Sequence, residues 1–143
     1  MKKAITSLLW VLFLIDGFSV FGQQPDTVKI LAIGNSFSED VLESYCYDIA
    51  SVLDKPVALG DAYIGGCSLE KHWDNASNNL KVYSYRKIKG GIKTKYEQQA
   101  LTDFVPDEDW DYITLQQVSQ NSGLINTFFP YLTNLKQYVM DLY

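Results

Sequence analysis

Val28 to Ile33 form an apolar run broken only by Lys29 near its start. A continuous run of this length suits a central strand covered on both faces. Ser38, followed by Glu39 and Asp40, reads as the cap and first turn of a helix. Leu42, Tyr45, Cys46, Ile49, Val52 and Leu53 then recur at helical spacing, which predicts that this face is buried. Asp54-Lys55-Pro56 ends the helix, and Val57 to Tyr63 reads as a second strand. Strand, helix and strand in this order predict a right-handed parallel crossover.

The pattern continues with a turn at Gly65-Gly66-Cys67-Ser68 and a polar stretch, Leu69 to Leu80, read as a short helix and surface loop. Val82 to Lys89 and Ile92 to Tyr96 flank Gly90-Gly91, the signature of a β-hairpin. Glu97 to Phe104 reads as a short helix ended by Pro106, and Asp111 to Leu115 as a third strand. Pro130 followed by Leu132, Leu135, Tyr138, Val139 and Leu142 predicts a final amphipathic helix. The expected class is α/β, a flavodoxin-like three-layer α/β/α arrangement around a parallel sheet. The chain ends at Tyr143 inside a helical pattern after three such strands, so only the N-terminal part of that domain is expected here.

Lys2 and Lys3, the apolar stretch Leu8 to Ile15, and Val20-Phe21-Gly22 before polar Gln23-Gln24 together read as a secretory signal peptide over residues 1–22. An N-terminal anchor is the alternative. The domain is then residues 23–143, exported to the periplasm or the cell exterior, with no later stretch long enough to span a bilayer. The formal net charge of −5 argues against nucleic acid as a partner. Cys46 and Cys67 are permitted a disulfide by that compartment, but Cys46 falls on a core-facing helical position and Cys67 in a glycine loop, which favours two free thiols. Their spacing gives no metal signature. The hairpin carries Lys81, Arg86, Lys87, Lys89, Lys93 and Lys95, either a solvated surface or a basic lip for an anionic substrate.

Gly34-Asn35-Ser36-Phe37-Ser38 lies between the first strand and the first helix, where open α/β proteins place reacting groups. A serine there can expose its hydroxyl beside free backbone N–H groups that favour developing negative charge. Gly65-Gly66 and Gln116-Gln117 follow the second and third strands, so all three loops converge on one sheet edge. A hydroxyl nucleophile, a glycine N–H and a side-chain amide are the parts of an acyl-transfer oxyanion hole. A phosphate- or flavin-binding reading is weaker, because Gly34 to Ser38 lacks the Gly-Lys of a nucleotide loop.

The order Gly-Asn-Ser-Phe-Ser, Gly-Gly-Cys-Ser-Leu-Glu-Lys-His-Trp and Trp-Asp-Tyr-Ile-Thr-Leu-Gln-Gln-Val-Ser resembles the SGNH (GDSL-like) hydrolases. More narrowly, it is similar to a branch of exported bacterial proteins catalogued as a domain of unknown function, over nearly all of Lys29 to Tyr143. The resemblance implies Ser36 as nucleophile, with the N–H groups of Ser36 and Gly66 (alternatively Gly65) as oxyanion donors. The third donor in that family is an asparagine; here Gln117, with Gln116 as the alternative, stands in its place. Asn35 and His72 are implied on the substrate side. The family's late Asp-x-x-His has no counterpart after Gln117, since His72 is the single histidine. The resemblance therefore implies a serine esterase without metal or organic cofactor, acting on acyl groups of a small molecule, carbohydrate or cell-envelope glycan. The alternative is a non-catalytic glycan-binding or surface protein on a degenerate hydrolase scaffold, which the missing base favours.

Overall fold

The computed structural model of the chain describes residues 26–143. The expected leader, residues 1–22, lies outside the described residues. Strand β1, Val28–Gly34, leads into helix α1, Ser36–Asp40, which continues through a π turn, Val41–Cys46, into α2, Tyr47–Val52. Then follow β2 (Val57–Tyr63), α3 (Leu69–Ser77), β3 (Tyr83–Lys89), β4 (Ile92–Gln99), α4 (Leu101–Phe104), β5 (Tyr112–Leu115) and α5 (Tyr131–Asp141). The strands form one sheet in the order β4-β3-β2-β1-β5. No helix of the described residues is long and apolar enough to cross a membrane.

The expected parallel sheet is present as β2-β1-β5, with Gly34 opposite Tyr63 and Ile33 opposite Leu115. The hairpin extends it rather than standing apart: β3 pairs antiparallel with β2, and β4 with β3. The sheet is therefore mixed, with the expected parallel strands extended on one side by the antiparallel hairpin. A hairpin pattern fixes the pairing of its own two strands but not the edge they join. The helix expected from Glu97 requires correction. β4 runs on to Gln99, and α4 is a single turn begun by Ala100, whose N–H donates to Asp103 Oδ2 at 2.8 Å.

Side chains alternate across the sheet, so each strand feeds two cores. Leu31, Ile33, Ala62, Tyr83 and Tyr85 face a larger core closed by Leu69, Phe104, Trp110, Leu135 and Val139. Ala32, Leu59 and Ile88 face a smaller one closed by Leu42. The helix over this second core departs from its expected register. Leu42 is buried and Cys46 half-buried, but Tyr45, Ile49, Val52 and Leu53 are exposed, while Tyr47 and Ala50 turn inward. The π turn accounts for this, because a wider turn rotates every later residue relative to a 3.6-residue repeat. Phe37, Val41, Tyr45 and Ile49 consequently line up as an exposed apolar stripe.

Most basic side chains of the hairpin pair with carboxylates of the chain. Arg86 pairs with Glu39 and Glu43, Lys87 with Asp107 and Glu108, Lys89 with Glu108, Lys81 with Asp103 and Lys95 with Glu97. Lys87 and Lys89 hold the Glu108 carboxyl down to about 2. The hairpin is thus largely a paired surface, with Lys93 reaching only the Glu43 carbonyl at 3.5 Å. Cys46 and Cys67 are both free thiols.

Trp110 lies over β2 at Gly60. A Cβ there would meet the indole at 2.8 Å and Leu31 Cδ1 at 3.0 Å. Gly60→Ala is expected to lower stability by about 1–3 kcal/mol through overpacking, measured by urea unfolding. Gly123→Ala, where a Cβ meets nothing within 4 Å, is the control and should stay within about 0.5 kcal/mol.

Candidate active site

Because β1, β2 and β5 are parallel, their three following loops leave from one edge of the sheet. The loop starts are pinned to β1: Ile64 N–H donates to Gly34 O at 3.2 Å and Gln116 N–H to Ile33 O at 3.1 Å. Asn35, only 1 % exposed, joins the loops. Its Nδ2 donates to Cys67 O at 3.2 Å and to Gln117 O at 3.4 Å, while Oδ1 accepts from Phe37 N–H at 3.3 Å. One amide thus caps α1 and ties it to both neighbouring loops. Asn35, not Ser38, is the helix cap, and the helix begins three residues earlier than expected. The Asn35 side chain, expected against substrate, is buried between backbone segments instead.

Ser36 is the first residue of α1 and is exposed. Neither its hydroxyl nor its N–H has a hydrogen-bond partner among the described residues. Gly66 occupies the left-handed region at φ 63°, which a residue without a Cβ adopts readily, in a turn closed by Cys67 N–H to Ile64 O at 3.3 Å. Its N–H also has no partner among the described residues.

The two glutamines divide their roles. Gln117 is buried, and its Oε1 accepts from Leu69 N–H at 3.0 Å and Val118 N–H at 2.9 Å. Its Nε2 donates to Thr127, with the carbonyl at 3.1 Å and Oγ1 at 3.2 Å. That amide is turned to Thr127. Gln116 is half-buried, and its Oε1 accepts from Asn35 N–H at 3.2 Å, leaving Nε2 without a protein acceptor among the described residues. The available amide therefore belongs to the alternative, Gln116. Gly34 makes this approach possible: a Cβ there would lie 2.7 Å from Gln116 Oε1 and 2.6 Å from Ser38 Oγ.

His72 is turned into the core. On α3 it is wholly buried, with Nδ1 3.0 Å from Tyr83 Oη and its ring stacked on that tyrosine. Burial pushes its pKa down to about 4. The expected substrate-side histidine is a core residue, because α3 turns that face toward the larger core. Cys67 is likewise buried, and desolvation pushes its thiol up to about 12, which removes it as a nucleophile.

A groove of ≈ 690 Å³ runs beside the serine turn, lined by Phe37, Ser38, Val41, Thr114, Gln116 and Ser119 among others. Residues 29–142 match DUF4886, a domain of unknown function. The chain belongs to the DUF4886 family. It is 41 % identical to a DUF4886 family protein from Bacteroides uniformis ATCC 8492 whose crystal structure superposes with a TM-score of 0.78. That similarity covers 81 % of this chain and 45 % of the other, so the chain spans less than half the length of that relative. No curated protein matches it.

One polar residue of the DUF4886 chain escaped sequence reasoning. Asp61 sits in β2, 1 % exposed, with Oδ1 2.8 Å from Ser38 Oγ. A single carboxylate inside the apolar run Val57 to Tyr63 was the available signal.

Two outcomes follow from the geometry. Asn35→Ala strips partners from Phe37 N–H, Cys67 O and Gln117 O. It should cost about 3 kcal/mol or more, given about 1–3 kcal/mol for each buried group left unsatisfied, read from denaturant midpoints. His72 has a folded pKa near 4, below the ordinary 6.5, so the unfolded chain binds more protons between these values. Its contribution to stability is lost as pH falls from 6.5 toward 4 and is fully present above 6.5. His72→Asn should remove that part of the pH dependence in thermal unfolding profiles.

Proposed function

We propose that this chain carries the nucleophile half of an SGNH-type serine esterase. The observation that carries the reading is Ser36: an exposed hydroxyl without a hydrogen-bond partner among the described residues, at the first position of a helix, on a turn whose Asn35 and Ser38 side chains are both engaged. In this reading Ser36 Oγ attacks an ester carbonyl. The N–H groups of Ser36 and Gly66 and the Nε2 of Gln116 then receive the oxyanion. The Ser36 proton passes to a base outside the described residues, since the only histidine is buried on Tyr83. Serine-based ester hydrolysis requires neither metal nor organic cofactor. Acyl groups on a carbohydrate or envelope glycan are the proposed substrates, consistent with an exported protein led by residues 1–22.

A second reading is favoured by the burial of His72. Without a base, Ser36 is a weak nucleophile, and the same turn and groove would serve a non-catalytic glycan-binding protein.

The test joins this chain to the unmatched part of the Bacteroides uniformis protein. A fluorophosphonate should label the chimera at Ser36, and Ser36→Ala should abolish labelling. Gln116→Ala should lower kcat by roughly 10²-fold or more with little change in KM, the size expected for one lost oxyanion donor. Gln117→Ala should lower stability instead. Persistent labelling of the Ser36→Ala chimera would sink the assignment. The 143-residue chain alone should show no p-nitrophenyl acetate turnover above its Ser36→Ala control.

A further inference from the structure

Ser38 Oγ lies 2.7 Å from Asn35 O and 2.8 Å from Asp61 Oδ1. Asn35 O is an acceptor only, and so is an ionised carboxylate. The serine hydroxyl owns one proton and can donate to one of them. Two short contacts are both hydrogen bonds only if the second proton comes from Asp61. Oδ1–H then donates to Ser38 Oγ, and Ser38 Oγ–H donates to Asn35 O. Asp61 Oδ2, buried and without a partner among the described residues, is the carbonyl oxygen of a neutral acid in this arrangement.

The surrounding charges agree. Arg86 stands opposite Asp61 in the β2–β3 register, but its guanidinium is directed to Glu39 and Glu43 and lies 4.3 Å over the Tyr63 ring. Three carboxyl groups therefore share one cation, and the two on the helix hold it. The groups that act on Asp61 are Glu39 and Glu43 from α1 and its π turn, Arg86 from β3 and the Ser38 hydroxyl. Burial, aided by the two glutamates, raises its pKa from 3.8 to about 7 against the opposing pull of Ser38 and Arg86.

We propose that Asp61 is a neutral, proton-donating positioning residue that fixes the Ser36 turn through Ser38. The assignment of a purpose to that turn rests on the esterase reading, but the proton arrangement does not. When Asp61 ionises, its proton leaves to solvent. The Ser38 hydroxyl swings from Asn35 O to Asp61 Oδ1, and Asn35 O keeps only the N–H groups of Ser38 and Glu39, at 3.0 and 3.2 Å. The first turn of the helix bearing Ser36 thereby loses one of its three ties.

The experiment follows the full chain by NMR between pH 4 and 9, using ¹³C-labelled aspartate and the amides of Ser36 and Phe37. The Asp61 carboxyl is expected to titrate near pH 7, with both amides moving at the same midpoint. In Asp61→Asn, whose amide donates to Ser38 Oγ as the acid does, those amides should lose the transition. An Asp61 carboxyl titrating near the ordinary 3.8 overturns the proposal. Titration near 7 with unmoved Ser36 and Phe37 amides overturns the positioning role. Stability gives a second reading on the same variant. A raised folded pKa means the stabilisation is full below pH 3.8 and lost as pH rises toward about 7. Asp61→Asn escapes that loss, so its unfolding constant relative to wild type should fall by up to about 10³-fold between those limits, about tenfold per unit. His72 titrates in part of the same window but is present in both proteins, so it cancels in the ratio. Parallel pH profiles for the two proteins also overturn the proposal. None of these measurements requires esterase activity, so a failed esterase reading would leave them interpretable.

Discussion

The side chain of Asn35 is the constraint on which the serine edge depends. Three parallel strands deliver three loops to one edge, but nothing in strand pairing fixes how those loops sit against one another. Asn35 does so with three hydrogen bonds, to Phe37, Cys67 and Gln117, from a position 1 % exposed to solvent. Each partner is a backbone group, so the tie is independent of the neighbouring side chains. An amide suits the place because it offers donors on one atom and an acceptor on the other. An aspartate would cap the helix equally well but, when ionised, would present acceptors to two carbonyls.

Gln117 repeats this logic one loop away. It binds Leu69, Val118 and Thr127, and so fastens α3 and the segment before α5 to the end of β5. The adjacent Gln116 uses only its oxygen, on Asn35 N–H. Both residues read alike in sequence, as amides after the third strand. Only the side on which each emerges separates them, one into the interior and one toward the groove. The resemblance implied an amide at this place, and the hydrogen bonds choose which one is free.

The extents of β1 and β2 were legible because continuous apolar runs bounded by Gly34 and Pro56 leave few alternatives. The phase of the helix after Ser36 was not. Its apolar spacing from Leu42 to Leu53 is compatible with a regular helix, yet the π turn rotates Tyr45, Ile49 and Val52 to the outside. Periodicity assumes a constant turn, and a local widening leaves no mark in the pattern. His72 was misplaced for a related reason. Polar neighbours, Glu70, Lys71 and Asp74, made its segment look solvated, while the helix face that His72 shares with Leu69, Asn75 and Ala76 is the buried one. Asp61 is hard to single out because it stands inside an otherwise apolar strand, although a carboxylate is the most costly residue to bury there.

The uncovered apolar surface has a consistent location. β5 forms one edge of the sheet, and grooves of ≈ 690 Å³ and ≈ 430 Å³ flank it on opposite faces. The first joins the exposed stripe of Phe37 and Val41; the second lies between β5 and α5. The opposite edge is different in kind: β4 is lined with Lys93, Lys95 and Glu97, charges that discourage further pairing. A strand edge with apolar surface on both faces is what a central strand looks like before its neighbours are added. The serine turn and Gln116 border the first groove, so whatever covers that groove also bounds the site. On the esterase proposal, a base for Ser36 would have to approach from that same side, because Asn35, Asp61 and Gln117 already fill the interior behind the turn with committed hydrogen bonds.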